Sequence, residues 1–147
     1  MRAIFLDFDG VLHRAGGPPG TSLPFEWIDE FAALLNPFDD VFIVVHSSWR
    51  EQFSMDMLRE FLEPVGHRLI GVVARGAKGM AIEAFLHEHP EITDALVLDD
   101  QTDEFPMGFV VPVLICDPAT GLSFGETQRR LKSWLATDSI QGRRFQP

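Results

Sequence analysis

Residues 5–13 read Phe-Leu-Asp-Phe-Asp-Gly-Val-Leu-His. An apolar run opens at Ala3 and ends there in two carboxylates, Asp7 and Asp9, with Gly10 directly behind them. A short apolar run closed by a turn residue reads as a buried strand, Ala3–Phe8. In a strand, residues i and i+2 share a face, so the spacing predicts two acids stacked at one strand end. Two such acids repel unless something cationic compensates them, as a divalent metal does. Gly10 lets the chain turn sharply beyond the pair. Taken alone, the same residues also read as a strand followed by an acidic turn, so the rest of the chain has to decide.

Outward from that stretch the pattern alternates strand and helix. A loop rich in Gly and Pro spans His13–Pro24. Phe25, Ile28, Ala32 and Leu35 recur at helical spacing, and Asn36-Pro37 ends that helix. Val41–Val45 is a second apolar strand. Met57, Leu58, Phe61 and Leu62 mark a second helix, and Leu69–Ala74 a third strand. Ile82, Phe85 and Leu86 mark a third helix, Ala95–Leu98 and Val110–Cys116 two further strands. Ser123 and Glu126 have the spacing of a capping box ahead of a last helix carrying Leu131, Trp134 and Leu135. Five short apolar strands separated by helices predict an α/β fold. The expected form is three layers, with a doubly wound, mainly parallel five-stranded sheet and helices on both faces.

The chain has 147 residues, the length of one domain, and 46% of them are hydrophobic. The expected boundaries are a single domain over 1–138 and a loosely held tail over 139–147. No stretch approaches the ~20 apolar residues that span a bilayer, and Asp7 interrupts the N-terminal run too early for a signal peptide. The single cysteine, Cys116, lies in an apolar run and reads as a buried thiol. A cytoplasmic location is the expectation. The net charge of −10 argues against non-specific binding to nucleic acid, although acids that hold a metal would weaken that argument.

Parallel α/β sheets bind ligands outside the carboxyl ends of their strands, and the polar clusters fall there. After the first strand come Asp7 and Asp9. After the second come His46, Ser47, Ser48, Trp49 and Arg50. Lys78 follows Gly76-Ala77 at a helix start, and Asp99-Asp100 closes the fourth strand. A carboxylate can attack phosphorus, and a second can move the proton of the leaving oxygen and of water. Asp99 and Asp100, with Asp7, offer the hard oxygen cage that Mg²⁺ prefers, or else a solvated acidic turn. Ser47 reads either as a phosphate donor or as a helix N-cap. Arg50 reads equally as a substrate ligand or an ion-pair partner, and His13 as a phosphate contact or a structural residue of the flap. Trp49 and His46 read as packing residues, and Lys78 as either a surface lysine or a charge stabiliser. His67, His87 and His89 lack the spacing of a zinc site.

Taken in order, these clusters resemble the haloacid dehalogenase-like (HAD) hydrolase superfamily. Asp7-Phe8-Asp9-Gly10-Val11 is similar to its first motif, Ser47 to its second, Lys78 to its third and Asp99-Asp100 to its fourth. The wording Asp-Gly-Val-Leu-His, Ser-Ser-Trp-Arg and Leu-Asp-Asp resembles the HAD domain of Swiss Army Knife RNA repair proteins. The resemblance implies a Mg²⁺-dependent phosphatase that works through an aspartyl-phosphate. In that scheme Asp7 is the nucleophile and a metal ligand. Asp9 is the acid/base and binds the metal through its backbone carbonyl. Ser47 and the Ser48 N–H hold the phosphoryl group, with Arg50 and His13 at the substrate. Lys78 neutralises charge, and of the Asp99-Asp100 pair, whose order the sequence leaves open, Asp100 is favoured as the direct metal ligand with Asp99 beside it or acting through water. The short connections leave no room for a cap domain, so an open site is expected. An open site suits a large substrate such as a 3′ or 5′ phosphate on a nucleic-acid end. The alternatives are a binding module that holds a phosphorylated partner without turnover, and a phosphotransferase.

Overall fold

The computed structural model describes residues 1–18, 20 and 23–137; the expected tail over 139–147 lies outside them. Five parallel strands form one sheet: β1 (Arg2–Leu6), β2 (Val41–Val45), β3 (Leu69–Val72), β4 (Asp94–Asp99) and β5 (Val113–Ile115). Their order is β3-β2-β1-β4-β5, with every pairing parallel. Among the described residues four α-helices connect or follow them: α1 (Ile28–Leu35), α2 (Met55–Phe61), α3 (Lys78–Glu88) and α4 (Gly125–Leu135). Among the described residues no helix is long and apolar enough to cross a membrane.

The winding follows from the handedness of parallel crossovers. Steps β1 to β2 and β2 to β3 move one way along the sheet, so α1 and α2 cover the same face. The step from β3 to β4 reverses direction and puts α3 on the other. One core accordingly joins Phe31, Leu35, Leu58, Leu62, Leu131 and Leu135 to Ile4, Leu6, Val45 and Leu98. The second joins Ile82 and Leu86 to Ala3, Phe5, Val44 and Val97. The strand order reverses between β1 and β4, which leaves the crevice at their carboxyl ends.

Several local readings change. The first helix starts only at Ile28, and its inward stripe is Phe31, Leu34 and Leu35, with Trp27 one turn earlier. Phe25 lies outside it with φ +55°. No regular helix joins β4 to β5; Phe105, Phe109 and Val111 cover the sheet there instead. β5 is shorter than Val110–Cys116, since Pro112 offers no N–H to a ladder. The expected capping box does not form: α4 has Phe124 at its N-cap, and the Ser123 hydroxyl donates back to the Thr120 carbonyl. Arg2, one residue ahead of the predicted strand start at Ala3, is a buried cation. It pairs with Asp40 at 2.7 Å and donates to the Leu135 carbonyl at the C-terminus of α4, where unpaired carbonyls attract positive charge.

Candidate active site

Strand register builds the site. Leu6 lies level with Val45 and Leu98, so Asp7, His46 and Asp99 come one step further, side by side. The ladder continues through them, with His46 N–H to the Leu6 carbonyl and Asp7 N–H to that of Leu98, both at 3.1 Å. Leu6, Val45 and Leu98 face the α1 side. By alternation the next three side chains turn to the α3 side, and all three residues are buried. Lys78 arrives from the first residue of α3. Its Nζ lies 3.1 Å from Asp99 Oδ2 and 3.6 Å from Asp7 Oδ2.

Asp7, Asp99 and Asp100 each present an oxygen within 4.8 Å of the others. Burial, reinforced by Asp99 and opposed by Lys78, pushes the Asp7 carboxyl up to about 8. Burial and then Asp99 also raise Asp100. Asp99 goes the other way. Burial would raise it, but the bond from His46 and the charge of Lys78 hold it well below the usual carboxylate range. Asp7 and Asp99 in turn raise the Lys78 ammonium against the opposing effect of burial. Three carboxylates thus cluster with one ammonium against two of them, a donor set suited to a hard divalent cation.

Gly10 is part of this geometry. Its φ is +78°, and a Cβ there would sit 2.3 Å from Asp100 Oδ2. The glycine both makes the turn and leaves the space in which Asp100 joins the cluster.

Asp9 departs from the strand reading. β1 ends at Leu6, so Asp9 does not stack on Asp7, and its carboxylate takes separate partners. Oδ1 lies 2.7 Å from His13 Nε2, and Oδ2 accepts from Trp49 Nε1 at 3.2 Å. The His13 bond lowers the Asp9 pKa. The cation that this pair of acids calls for is therefore set by Asp7 with Asp99 and Asp100, whereas Asp9 is satisfied by His13 and Trp49.

His13 Nδ1 accepts from the Phe25 N–H at 3.2 Å. That leaves Nε2 as the protonated nitrogen facing Asp9. Both ring nitrogens of His13 are thus engaged within the chain, where it supports Asp9. Trp49 sits among Phe8, Phe25, Phe53 and Phe61, with ring centroids 5.3–5.8 Å away. Its indole nitrogen is the end that reaches Asp9.

Ser47 is buried and caps the 3₁₀ turn Ser48–Glu51, its Oγ accepting from the Trp49 N–H at 3.2 Å. That leaves its proton to donate, so capping and phosphate binding are compatible. Ser48 is exposed beside it. Arg50 turns to the backbone and not to an acid. It donates to the carbonyls of His46 (2.6 Å), Ser47 (3.1 Å), Gly76 (2.9 Å) and Ala74 (3.3 Å). It clamps the Ser47 loop to the loop that carries Lys78. Four bonds from its guanidinium go to backbone oxygens, whose orientation the sequence alone does not give.

His46 was missed by the sequence reading. It is fully buried and bonds Asp99 Oδ2 through Nε2 at 2.8 Å. The available signal was parity, since two residues after Val44 it must share the face of Asp7. Asp103 is exposed. Cys116 is buried, and burial together with the nearby acids pushes its thiol up to about 12.

A family model described as the HAD domain in Swiss Army Knife RNA repair proteins matches residues 3–126. No curated protein and no solved structure matches the chain.

Proposed function

The chain belongs to the family of HAD domains found in Swiss Army Knife RNA repair proteins, and from that premise we propose that it is a Mg²⁺-dependent phosphomonoesterase working through an aspartyl-phosphate. One observation carries the reading. A buried carboxylate, Asp7, lies 3.6 Å from the Lys78 ammonium and within 4.8 Å of oxygens from both Asp99 and Asp100.

Asp7 and Asp100 are the side chains that would hold Mg²⁺, together with the Asp9 backbone carbonyl. Asp99 is a poorer direct ligand. Its Oδ2 already accepts from His46 and Lys78, and its Oδ1 from the Gln101 N–H at 2.9 Å. When bound, the metal supplies positive charge against both the carboxylates and the phosphoryl oxygens.

The protein groups divide the rest of the work. An Asp7 oxygen attacks phosphorus as the bond to the leaving oxygen breaks. Asp9, in its protonated form, delivers a proton to that oxygen. Asp9, then ionised, takes a proton from the water that cleaves the aspartyl-phosphate. Its lowered pKa favours this second, basic role. Lys78 and the Ser47 hydroxyl stabilise charge on the transferring group.

The connections support a phosphate on a large substrate. Among the described residues, 7–40 contribute one helix and a loop, and 73–93 one helix, so neither connection supplies a lid domain there. With the family's association with RNA repair, this favours phosphorylated nucleic-acid ends.

Hydrolysis of an aryl phosphate by purified protein, with and without Mg²⁺, tests the chemistry. Turnover should need the metal and vanish in Asp7→Asn; equal rates for the two proteins reject the proposal. Oligonucleotides with 3′ or 5′ phosphates test the substrate class. They should be preferred over mononucleotides, and the absence of any preference rejects that part alone.

A further inference from the structure

His46 is a fully buried titratable group at the site that the proposed chemistry leaves without a task. Its Nε2 lies 2.8 Å from Asp99 Oδ2. Its Nδ1 is buried with no hydrogen-bond partner, and its ring stands edge-on to Phe105, 6.2 Å between centroids. A position chosen for packing alone would be served better by an apolar side chain, because an unpartnered buried nitrogen is unfavourable. The histidine is therefore explained by the single bond it makes.

That bond has a direction. Both Asp99 oxygens already accept from donor-only groups, Oδ2 from Lys78 Nζ and Oδ1 from the Gln101 N–H, so Nε2 carries the proton and donates. Asp99 Oδ2 then receives two donors, His46 Nε2 and Lys78 Nζ at 3.1 Å, while Oδ1 receives the Gln101 N–H. A carboxylate fixed by donors on both oxygens cannot rotate away. Lys78 has four single bonds along its stem and needs such an anchor to keep its head 3.6 Å from Asp7.

We propose that His46 is a positioning residue for the phosphohydrolase reaction: through Asp99 it fixes the Lys78 ammonium against the nucleophile Asp7. The inference rests on the phosphomonoesterase reading for its kinetic consequences, but the placement of Lys78 can be measured without turnover.

The sequence contains two lysines, Lys78 and Lys132. Protein labelled with ¹³C-lysine therefore gives two side-chain signals, which Lys132→Arg assigns. Three variants are compared with wild type. His46→Leu removes the bond, His46→Gln offers an amide donor where Nε2 stood, and His46→Asn offers one where Nδ1 stood. In His46→Leu and His46→Asn the Lys78 ε-carbon signal should move toward that of exposed Lys132. In His46→Gln it should stay near the wild-type position.

With the aryl phosphate and Mg²⁺, kcat should fall about 10- to 100-fold in His46→Leu, as small misplacements of charged groups do. KM should hold within about twofold, and His46→Gln should regain most of the rate. Thermal unfolding of each variant identifies any that fails to fold, and the Gln–Asn comparison then rests on the folded pair. An unmoved Lys78 signal in folded His46→Leu or His46→Asn overturns the inference, as does a full kcat in either one. An inactive wild type with the expected lysine shifts would instead reject the enzymatic reading and keep the placement.

Discussion

Replacing Asp7 by Asn should stabilise the metal-free protein while abolishing its response to Mg²⁺. Asp7 is 4% exposed and shares one ammonium with Asp99. Its carboxyl is pushed from 3.8 up to about 8. The folded state thus binds this proton more tightly than the unfolded chain does. Stability contributed by the protonated form is complete below about pH 4 and is lost as pH rises toward 8. At about 1.4 kcal/mol per pH unit, four units set a ceiling of about 5–6 kcal/mol. Asp99 is displaced in the opposite direction and offsets much of that. The expected net gain for Asp7→Asn at pH 8 is about 1–3 kcal/mol, or ~3–10 °C in Tm for a domain of this size. Asn keeps the geometry, since its oxygen can still accept the Phe8 N–H that Asp7 accepts at 2.9 Å.

The assay is thermal unfolding between pH 5 and 9, in EDTA and in excess MgCl₂. In EDTA, wild type should lose stability from pH 5 to 8 more steeply than Asp7→Asn, and the variant should melt higher at pH 8. MgCl₂ should raise the wild-type midpoint by mass action and leave the variant unchanged. A variant that melts at or below wild type at pH 8 in EDTA would refute the idea that Asp7 is an undercompensated buried charge.

Four further outcomes follow from the geometry. Gly10→Ala should lower stability by about 1–3 kcal/mol, from positive φ and the collision with Asp100, and should erase the Mg²⁺-induced rise in Tm. Asp9→Asn should release about one equivalent of nitrophenol from p-nitrophenyl phosphate in a burst, then turn over ~10²–10³-fold more slowly than wild type, because the first step needs little protonation and the second lacks its base. Arg50→Met should cost about 1–3 kcal/mol in denaturant unfolding and raise the Ki of inorganic phosphate, with Arg50→Lys recovering little, since one ammonium cannot span both loops. Cys116 should resist iodoacetamide at pH 8 in the native protein and react fully once it is unfolded, as mass spectrometry would read.

Much of the fold is legible in the chain because buried parallel strands write themselves as short apolar runs. Val41–Val45 matches its predicted span, and β1 and β4 agree to within two residues. The reading fails where a strand or helix is set by neighbours. β5 shrinks beside Pro112, and α4 is capped without Ser123. Arg2 is buried against carbonyls that a linear reading cannot place. At the site, the four clusters were recognisable by order, yet the partners of Asp9, His13 and Arg50 were not. Arg50 in particular spends its donors on the carbonyls of Ala74 and Gly76, residues far along the chain.

The amino-acid sequence by itself determined which residues could do chemistry and that they collect at one sheet edge. Apolar runs fix the strands, and handed crossovers fix where their ends meet. Only the tertiary structure decided how the charges are shared. The Phe5–His13 stretch holds two acids of like kind, but β1 stops at Leu6 and the chain turns at Gly10. Asp7 is thereby left among Asp99, Asp100 and Lys78, and Asp9 is given to His13 and Trp49. Side-chain partnership depends on distances of a few ångströms between segments remote in sequence, and no local pattern encodes those distances.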